Sequence, residues 1–234
     1  MLLTTRAIVL RAIRHGDRTA ILKTYTEHEG ARACALRLGG RSGAPQALVQ
    51  PLSRVELVLD QRPDKDLAAV KEIRLEAPSV PQDRPERTAL VLFLQEVFLR
   101  VLRTECADIG LFAFAHSAIG SAATARDLAQ LPLRTMAGLV QHMGILPSPP
   151  EHGEHNFDLL EGRFIAGDAP SGHTLREPLS TWMAALFDEG ARDLPRLSAV
   201  QRRDLLDHLL LFIRLHLDGF GELRSVSVLR EVLA

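Results

Sequence analysis

The pattern of apolar and polar residues changes partway along the chain. Up to about residue 75, apolar and β-branched residues occur in short runs separated by Gly, Pro and Asp, which is typical of strands joined by turns. From residue 85 onward, apolar residues recur every three or four positions, as Leu90, Leu94, Val97 and Val101 do, and this spacing indicates helices. The chain is therefore predicted to begin with strands and to continue with helices.

Five strands are predicted in the first eighty residues, with turns at Gly16-Asp17 and Glu29-Gly30. Their predicted ranges are 4–15, 18–26, 31–38, 49–59 and 69–75. Five short strands with a glycine-rich loop after the third strand favour a small barrel of the OB type. An SH3-like barrel has a similar pattern and stays open as an alternative.

Pro78, Pro81 and Pro85 mark the predicted domain boundary, because closely spaced prolines interrupt both strands and helices. The predicted domains are residues 1–80 and 81–234. The fold class is predicted to be α+β, with an N-terminal five-stranded OB-type barrel followed by an all-helical C-terminal domain that carries a small hairpin. The helices are predicted at 85–103, 108–124, 131–143, 178–189 and 197–217, and the hairpin at 157–167, and residues 225–233 close the chain.

The helix from Leu197 to Leu217 is expected to lie at the centre of the second domain. Ser198 and Gln201 have the spacing of a capping box at its start, and Asp218-Gly219 provides a stop. Apolar residues cover more than half of its circumference, so other elements are expected to surround its second half.

Charge is distributed unevenly between the two predicted domains, although the whole chain has a net charge of only −1. Residues 1–80 carry thirteen Lys and Arg against nine Asp and Glu, whereas the remainder carries fifteen against twenty. A basic domain followed by an acidic one indicates a polyanion partner for the first domain. An ordinary solvated strand surface is the alternative interpretation.

Eight basic residues of the first three strands and the loop after them are candidate nucleic-acid-binding residues. Strict alternation along the first strand puts Arg6 and Arg14 on one face and Arg11 on the other. Tyr25 is the aromatic ring available there for base stacking, so binding is expected to be mostly electrostatic, tolerant of sequence and sensitive to salt. The eight candidates are Arg6, Arg11, Arg14, Arg18, Lys23, Arg32, Arg37 and Arg41.

Residues that could support catalysis or metal binding lack the spacing that such sites need. His152 and His155 lie in a Pro-rich loop with Glu151 and Glu154 but without a nearby Cys, which favours a solvated polar loop over a zinc site. The sequence contains no glycine motif of the P-loop or dinucleotide-binding type. We therefore expect no metal, no cofactor and no enzymatic activity.

Cysteine usage and the N-terminus favour a cytoplasmic protein. Cys34 and Cys106 lie far apart in apolar surroundings, which favours buried free thiols over a disulfide. The sequence has neither the pattern of a secretory signal nor an apolar run long enough to span a membrane.

Four segments share a pattern with a known protein family. The first is TTRAIVLRAIRHGDRTAILKTYTEHEG, and the second combines Gly40-Arg41-Ser42 with Gln50-Pro51-Leu52. The third and fourth are FDLLEGRF and LLDHLLLFIRLHLDGFGELRSVSVLREVL. In their order and spacing these segments resemble the bacterial RecO family of DNA repair proteins, and the last two are similar to a zinc-free branch of that family.

The resemblance implies a DNA repair and recombination mediator rather than an enzyme. Members of this family bind single-stranded and double-stranded DNA, promote annealing of complementary strands and help RecA load on SSB-coated DNA. The implied partners are both forms of DNA, the protein RecR and the C-terminal tail of SSB, with no small-molecule substrate and no membrane. The implied location is the bacterial cytoplasm, with association with the nucleoid when the protein is active.

The chain departs from the family pattern at two places. Residues 144–167 lack the four cysteines that hold zinc in many members, so no structural zinc is expected. Gly43-Ala44-Pro45 replaces a loop that is usually rich in Lys and Arg, which leaves Arg41 as the loop residue that carries over. The family's pocket for the SSB tail is expected on the helical domain, with Arg100 and Arg103 as candidates.

Two other functions fit parts of the sequence. One is a protein-interaction adaptor whose barrel binds partner proteins and touches DNA weakly, which fits the acidic second domain and the loop without basic residues. The other is a metal-dependent hydrolase, which would have to be centred on His152 and His155.

Overall fold

A computed structural model of the chain describes residues 1–39, 46–61, 67–188 and 196–233. The chain divides into two compact units, Met1–Arg126 and Asp127–Ala234. The first unit contains the strands of the barrel together with the first two helices, whereas the predicted domains divide between residues 80 and 81. That domain boundary stays a prediction.

The first unit contains five strands, which are β1 Leu2–Arg14, β2 Thr19–Thr26, β3 Gly30–Arg37, β4 Arg54–Asp60 and β5 Ala68–Leu75. They form a closed barrel with the strand order β1-β2-β3-β5-β4. Adjacent strands are antiparallel except β3 and β5, which are parallel. The predicted α+β class with an N-terminal OB-type barrel is confirmed.

The barrel interior is filled by two clusters of small and medium apolar side chains. Their sizes suit a five-stranded barrel, whose interior is too narrow for several large rings. One cluster contains Ala7, Val9, Cys34, Val55, Leu57 and Leu59, and the other contains Ala20, Leu22, Leu36 and Val49.

The approach to β4 differs from the predicted strand at 49–59. Residues Gln46–Val49 form a short 3₁₀ helix, and buried Leu52 adopts a φ of 63°, a left-handed conformation that a regular strand does not allow. The Leu52 N–H donates to the Val9 carbonyl at 2.7 Å, and the Val9 N–H donates to the Ser53 carbonyl at 2.9 Å. This turn therefore takes over the pairing of β1 at Val9, and the strand begins only at Arg54.

Two helices of the first unit, α1 Pro85–Val101 and α2 Ile109–Thr124, pack on the barrel. Pro85 suits the first turn of α1 because that turn needs no N–H from it, and the Asp108 carboxylate caps α2 by accepting from the Leu111 N–H at 2.8 Å. The side-chain amide of Gln95 on α1 donates to the Leu10 carbonyl of β1 at 2.8 Å.

The second unit is helical with a small sheet. Its elements are α3 Leu131–His142, β6 Asn156–Asp158, β7 Arg163–Ile165, β8 Thr174–Leu175, α4 Leu179–Phe187, α5 Ala199–His216 and α6 Ser225–Val232. The sheet has the strand order β7-β6-β8, so a third strand joins the predicted hairpin. The sequence did not predict β8, because a strand of two residues is too short to show an alternating pattern. The predicted capping box of Ser198 and Gln201 is confirmed.

The turn between β6 and β7 explains why the segment FDLLEGRF contains Asp158 and Gly162. The buried Asp158 carboxylate accepts from the N–H groups of Leu160 at 2.9 Å and Glu161 at 3.2 Å. Gly162 has a φ of 67°, and a side chain there would approach the His216 ring on α5 to 3.2 Å. The turn thus needs a short acceptor at its start and a glycine at its end.

Both cysteines are free, but they differ in exposure. Cys34 lies in the barrel core, where burial raises the pKa of its thiol to about 11. Cys106 is exposed in the segment between α1 and α2, so the prediction that it is buried was wrong. In the parts of the chain that the structure describes, none of the helices combines the length and apolarity needed to cross a bilayer.

Candidate nucleic-acid interface

A β-bulge in β1 decides which basic residues face outward. Val9 pairs with Thr24 and Arg11 with Lys23, which leaves Leu10 as an extra residue in β1. Before the bulge the odd-numbered residue Val9 points into the core, whereas after it the even-numbered Ala12 packs on the core. The inward and outward positions of β1 therefore exchange at Leu10.

This exchange overturns the predicted grouping of the arginines in β1. Arg6, before the bulge, and Arg11, after it, both face outward. Arg14 shares the orientation of Ala12 and borders a cleft of about 390 Å³ at the end of the barrel, next to Leu38 and Val49. The prediction that Arg6 and Arg14 share a face was wrong because it assumed uninterrupted alternation.

Outward side chains of β1, β2 and β3 form three rows across the strands, and we call this surface the open face. Cross-strand pairing aligns Arg11, Lys23 and Ala33 in the first row. The second row contains Ile13, Ile21 and Ala35, and the third contains Thr19 and Arg37.

The cations of the open face are exposed and stand without an ion pair to any residue in the described ranges. They are Arg11, Lys23 and Arg37. Arg18, in the turn between β1 and β2, is likewise exposed and has no ion pair within those ranges. In an OB fold the β2–β3 surface and the loop between β1 and β2 are the usual places for an oligonucleotide.

Arg6 is bound in an ion-pair network instead. Its Nε donates to Glu27 Oε2 at 2.8 Å and its Nη2 donates to the other oxygen of the same carboxylate. Glu76 lies 3.8 Å from Nη1, and the guanidinium carbon lies 5.5 Å from the Phe112 ring centroid. The hydrogen bonds from Arg6 lower the pKa of Glu27. Arg6 therefore joins the barrel to α2.

Arg32 is also neutralised by neighbouring carboxylates. Its Nε donates to Glu29 Oε2 at 3.2 Å, and Glu105 lies 3.9 Å from its Nη1. Of the eight predicted candidates, Arg6 and Arg32 thus contribute little free positive charge to the surface of the barrel.

Helix α2 covers the outward surface of β2 beyond Lys23, at Tyr25. Tyr25 points outward from β2 but is only 1% exposed, because its ring packs against Phe112 with the ring centroids 6.5 Å apart. Burial raises the pKa of the Tyr25 hydroxyl to about 12. The prediction that Tyr25 is available for base stacking was wrong.

A buried arginine, which the sequence did not single out, lies at the same junction. Arg54 is 7% exposed, and its Nη2 donates to the Pro78 carbonyl at 2.9 Å. Burial lowers its pKa, and the nearby Glu76 carboxylate opposes this effect. A side chain at Gly120 of α2 would come within 3.0 Å of Arg54, so the glycine makes room for it. The sequence does contain a signal for a buried arginine, because Arg54 is the first residue of a largely apolar strand.

The remaining candidates fall outside the open face. Arg41 lies outside the described residues. Arg100 donates to Glu96 at 2.8 Å within α1, and Arg103 follows that helix. Both arginines belong to the first compact unit, and their part in a pocket for the SSB tail stays a prediction.

The polar loop at residues 151–155 is closed by its own hydrogen bonds. The Glu151 N–H donates to Glu154 Oε2 at 2.8 Å. Within the described ranges, no group of three His, Cys, Asp or Glu side chains comes together as ligands of a metal ion would.

The closed five-stranded barrel assigns the first unit to the OB class of small barrels, whose members include proteins that bind oligonucleotides or oligosaccharides. Comparison with known proteins narrows the class. The family described as "Recombination protein O N terminal" matches residues 1–78. Curated relatives extend the similarity over the whole chain, and the predicted resemblance to the RecO family is confirmed.

Three of these relatives are each named DNA repair protein RecO. The protein of Christiangramia forsetii is 27% identical over 239 residues, which cover 99% of this chain and 99% of the relative. The protein of Bacteroides fragilis is 28% identical over 243 residues, with 99% of each chain covered. The protein of Porphyromonas gingivalis is 27% identical over 241 residues, with 98% of each chain covered.

Proposed function

We propose that this protein acts in DNA repair by binding DNA on the open face of its barrel. The relatives named DNA repair protein RecO, similar along the full chain, support the repair role. One structural observation carries the assignment of the surface, namely that Arg11, Lys23 and Arg37 are exposed on the outer side of three adjacent strands without carboxylate partners in the described ranges.

Binding by these residues is electrostatic. Cations that neutralise phosphates release condensed counterions, and this release makes affinity fall as salt rises. The side chains of Arg11, Lys23 and Arg37 do not read base identity in this arrangement, so the binding is tolerant of sequence. The same neutralisation lowers repulsion between two complementary strands held at the surface, which would favour their annealing.

The finer roles follow from the family resemblance. We propose that the chain is a non-catalytic recombination mediator that binds single-stranded and double-stranded DNA, helps RecA load on SSB-coated DNA, and contacts RecR and the C-terminal tail of SSB. No residue of the barrel is assigned to RecR or to the SSB tail.

Fluorescence anisotropy of a labelled single-stranded oligonucleotide tests the open face directly. The wild-type chain is titrated at several salt concentrations and compared with the triple variant Arg11→Ala/Lys23→Ala/Arg37→Ala. We expect weaker binding and a salt dependence reduced by about two units in the logarithmic slope, since each lost phosphate contact on a single strand contributes about 0.7.

A matched control removes three exposed arginines elsewhere, Arg84→Ala/Arg134→Ala/Arg163→Ala. This control changes the net charge of the chain by the same amount. We expect its affinity and salt slope to remain close to those of the wild type. An equal loss in both triple variants would assign the binding to net charge and would contradict a defined site.

An adaptor function is the second candidate, because Arg6 and Arg32 are neutralised and the barrel is less cationic than its sequence indicates. An adaptor would bind the oligonucleotide weakly or not at all, even at low salt, but would bind RecR strongly. The same titration, followed by a RecR binding assay, separates the two functions.

A further inference from the structure

The middle row of the open face is apolar. Ile13 pairs with Ile21 across β1 and β2, and Ile21 pairs with Ala35 across β2 and β3. Ile13 is 41% exposed, and none of these three side chains belongs to the core clusters of the barrel. The row therefore presents aliphatic surface to the solvent.

Cations frame this apolar row on two sides. Arg11 and Lys23 lie in the row on one side, and Arg37 lies in the row on the other. Successive same-face residues of a strand are about 7 Å apart, so the two basic rows are about 13 Å apart with the aliphatic row between them. The surface thus offers apolar contact inside a frame that attracts phosphates.

We propose that Ile13 and Ile21 pack against unstacked bases and make the open face bind single-stranded DNA in preference to duplex. This inference rests on the proposed function, since it concerns the same surface. A single strand can turn its bases toward the aliphatic row while its phosphates contact the basic rows. A duplex keeps its bases stacked inside and presents phosphates, which gain nothing from isoleucine.

Charge complementarity favours a nucleic-acid strand over a protein partner at this place. Arg11, Lys23 and Arg37 surround the apolar row without carboxylate partners in the described part of the chain, so a ligand with regularly spaced negative charge satisfies them. The aliphatic row takes the place of the aromatic platforms of other single-strand binders, because Tyr25 is covered by α2.

The test is the affinity of the full chain for a single-stranded oligonucleotide and for the duplex of the same sequence. For the double variant Ile13→Ser/Ile21→Ser, we expect affinity for the single strand to fall about tenfold and affinity for the duplex to change less than twofold. The salt slope for the single strand should remain unchanged, because no phosphate contact is lost.

A gain of binding provides a second, independent variant. Ile21→Tyr places an aromatic ring in the middle row, and tyrosine is well accepted on exposed strand positions. We expect Ile21→Tyr to bind the single strand several-fold more tightly than the wild type without tighter binding to the duplex. The control Val200→Ser/Val228→Ser changes two exposed apolar residues of the second unit and should leave both affinities unchanged.

The outcomes separate this inference from the function on which it rests. If the wild type binds neither form of DNA, the proposed function fails and the inference fails with it. If the wild type binds DNA but Ile13→Ser/Ile21→Ser lowers both affinities equally or neither of them, the inference alone is wrong. Loss of RecR binding in that variant, with unchanged DNA binding, would assign the row to a protein partner.

Discussion

Arg11 and Lys23 lie directly opposite each other on the outward surface of β1 and β2. Like charges at opposed positions of two strands destabilise the pair by roughly 0.2–1 kcal/mol. Neither residue has a carboxylate partner within the described ranges that would offset this repulsion. An anion bound between them would remove it, so under the proposed function the pair lowers the stability of the free protein but favours binding of DNA.

This relationship predicts opposite effects of Lys23→Gln on stability and on binding. Urea denaturation should show a stability equal to the wild type or higher by up to about 1 kcal/mol. Anisotropy should show weaker binding of single-stranded DNA with a salt slope smaller by about 0.7.

Lys71→Gln is the matched control, because Lys71 is exposed on β5 and pairs with Asp60 at 3.3 Å. Its stability should fall by up to about 1 kcal/mol and its affinity for DNA should stay unchanged. A clear loss of stability in Lys23→Gln would contradict the repulsion between Arg11 and Lys23.

Arg6→Gln is expected to lower stability and to leave DNA binding within about twofold of the wild type. The substitution removes a bidentate pair with Glu27, whose side chain is only 15% exposed, and we expect a loss of about 1–2 kcal/mol. The control Arg74→Gln removes a partner of Glu56 whose own side chain is 68% exposed, and should cost less than about 1 kcal/mol.

The same pair gives a pH dependence with a defined sign. Arg6 lowers the pKa of Glu27 in the folded protein, so its stabilising effect is present above the ordinary value of 4.5 and is lost as the pH falls through the lower folded value. As the pH is lowered from about 7 to about 3, the melting temperature of Arg6→Gln should therefore fall less than that of the wild type.

Gly30→Ala is expected to destabilise the first unit strongly. Gly30 has a φ of 69°, and a Cβ atom would lie 2.3 Å from both the Thr104 and the Cys106 carbonyl oxygens. Left-handed strain and backbone displacement together should cost about 3 kcal/mol or more.

Gly16→Ala isolates the conformational part of that cost. Gly16 has a φ of 72° but no atom within 4 Å of an added Cβ, so the loss should be about 1 kcal/mol. Denaturation curves of the two variants measure the difference, and equal losses would show that the contact with Thr104 and Cys106 is unimportant.

Asp158→Ala is expected to destabilise the second unit by about 1–3 kcal/mol, because the N–H groups of Leu160 and Glu161 lose a buried acceptor. Asp168→Ala is the control, since that exposed carboxylate pairs with Arg176 on the surface and should contribute less than about 1 kcal/mol. Similar melting temperatures for the two variants would contradict the role of the buried turn.

Features determined by short-range signals were predicted well. The start of α1 follows from Pro85, the start of α5 follows from Ser198 and Gln201, and the turn at Gly30 follows from its need for a positive φ. In each case the physical cause lies within a few residues of the boundary, so the sequence contains it.

Features that depend on distant contacts could not be predicted in the same way. Tyr25 is covered because α2 brings Phe112 onto it, and Arg6 loses its free charge because Glu27 and Glu76 meet it at one end of the barrel. No local pattern around Tyr25 or Arg6 distinguishes them from exposed residues of the same strands. Which basic residues face the solvent follows from tertiary packing.

The bulge at Leu10 has a consequence for every comparison between this barrel and its relatives. Residues of β1 after the bulge point to the opposite side of the sheet from the side that the alternation before the bulge would give them. Suppose that the first strand of a relative lacks the extra residue and is aligned with β1 without a gap. Arg11 would then be matched with a residue that points inward, and Arg14 with a residue that points outward. The presence of this single residue therefore has to be established before any DNA-contacting role in the first strand is transferred from one chain to another.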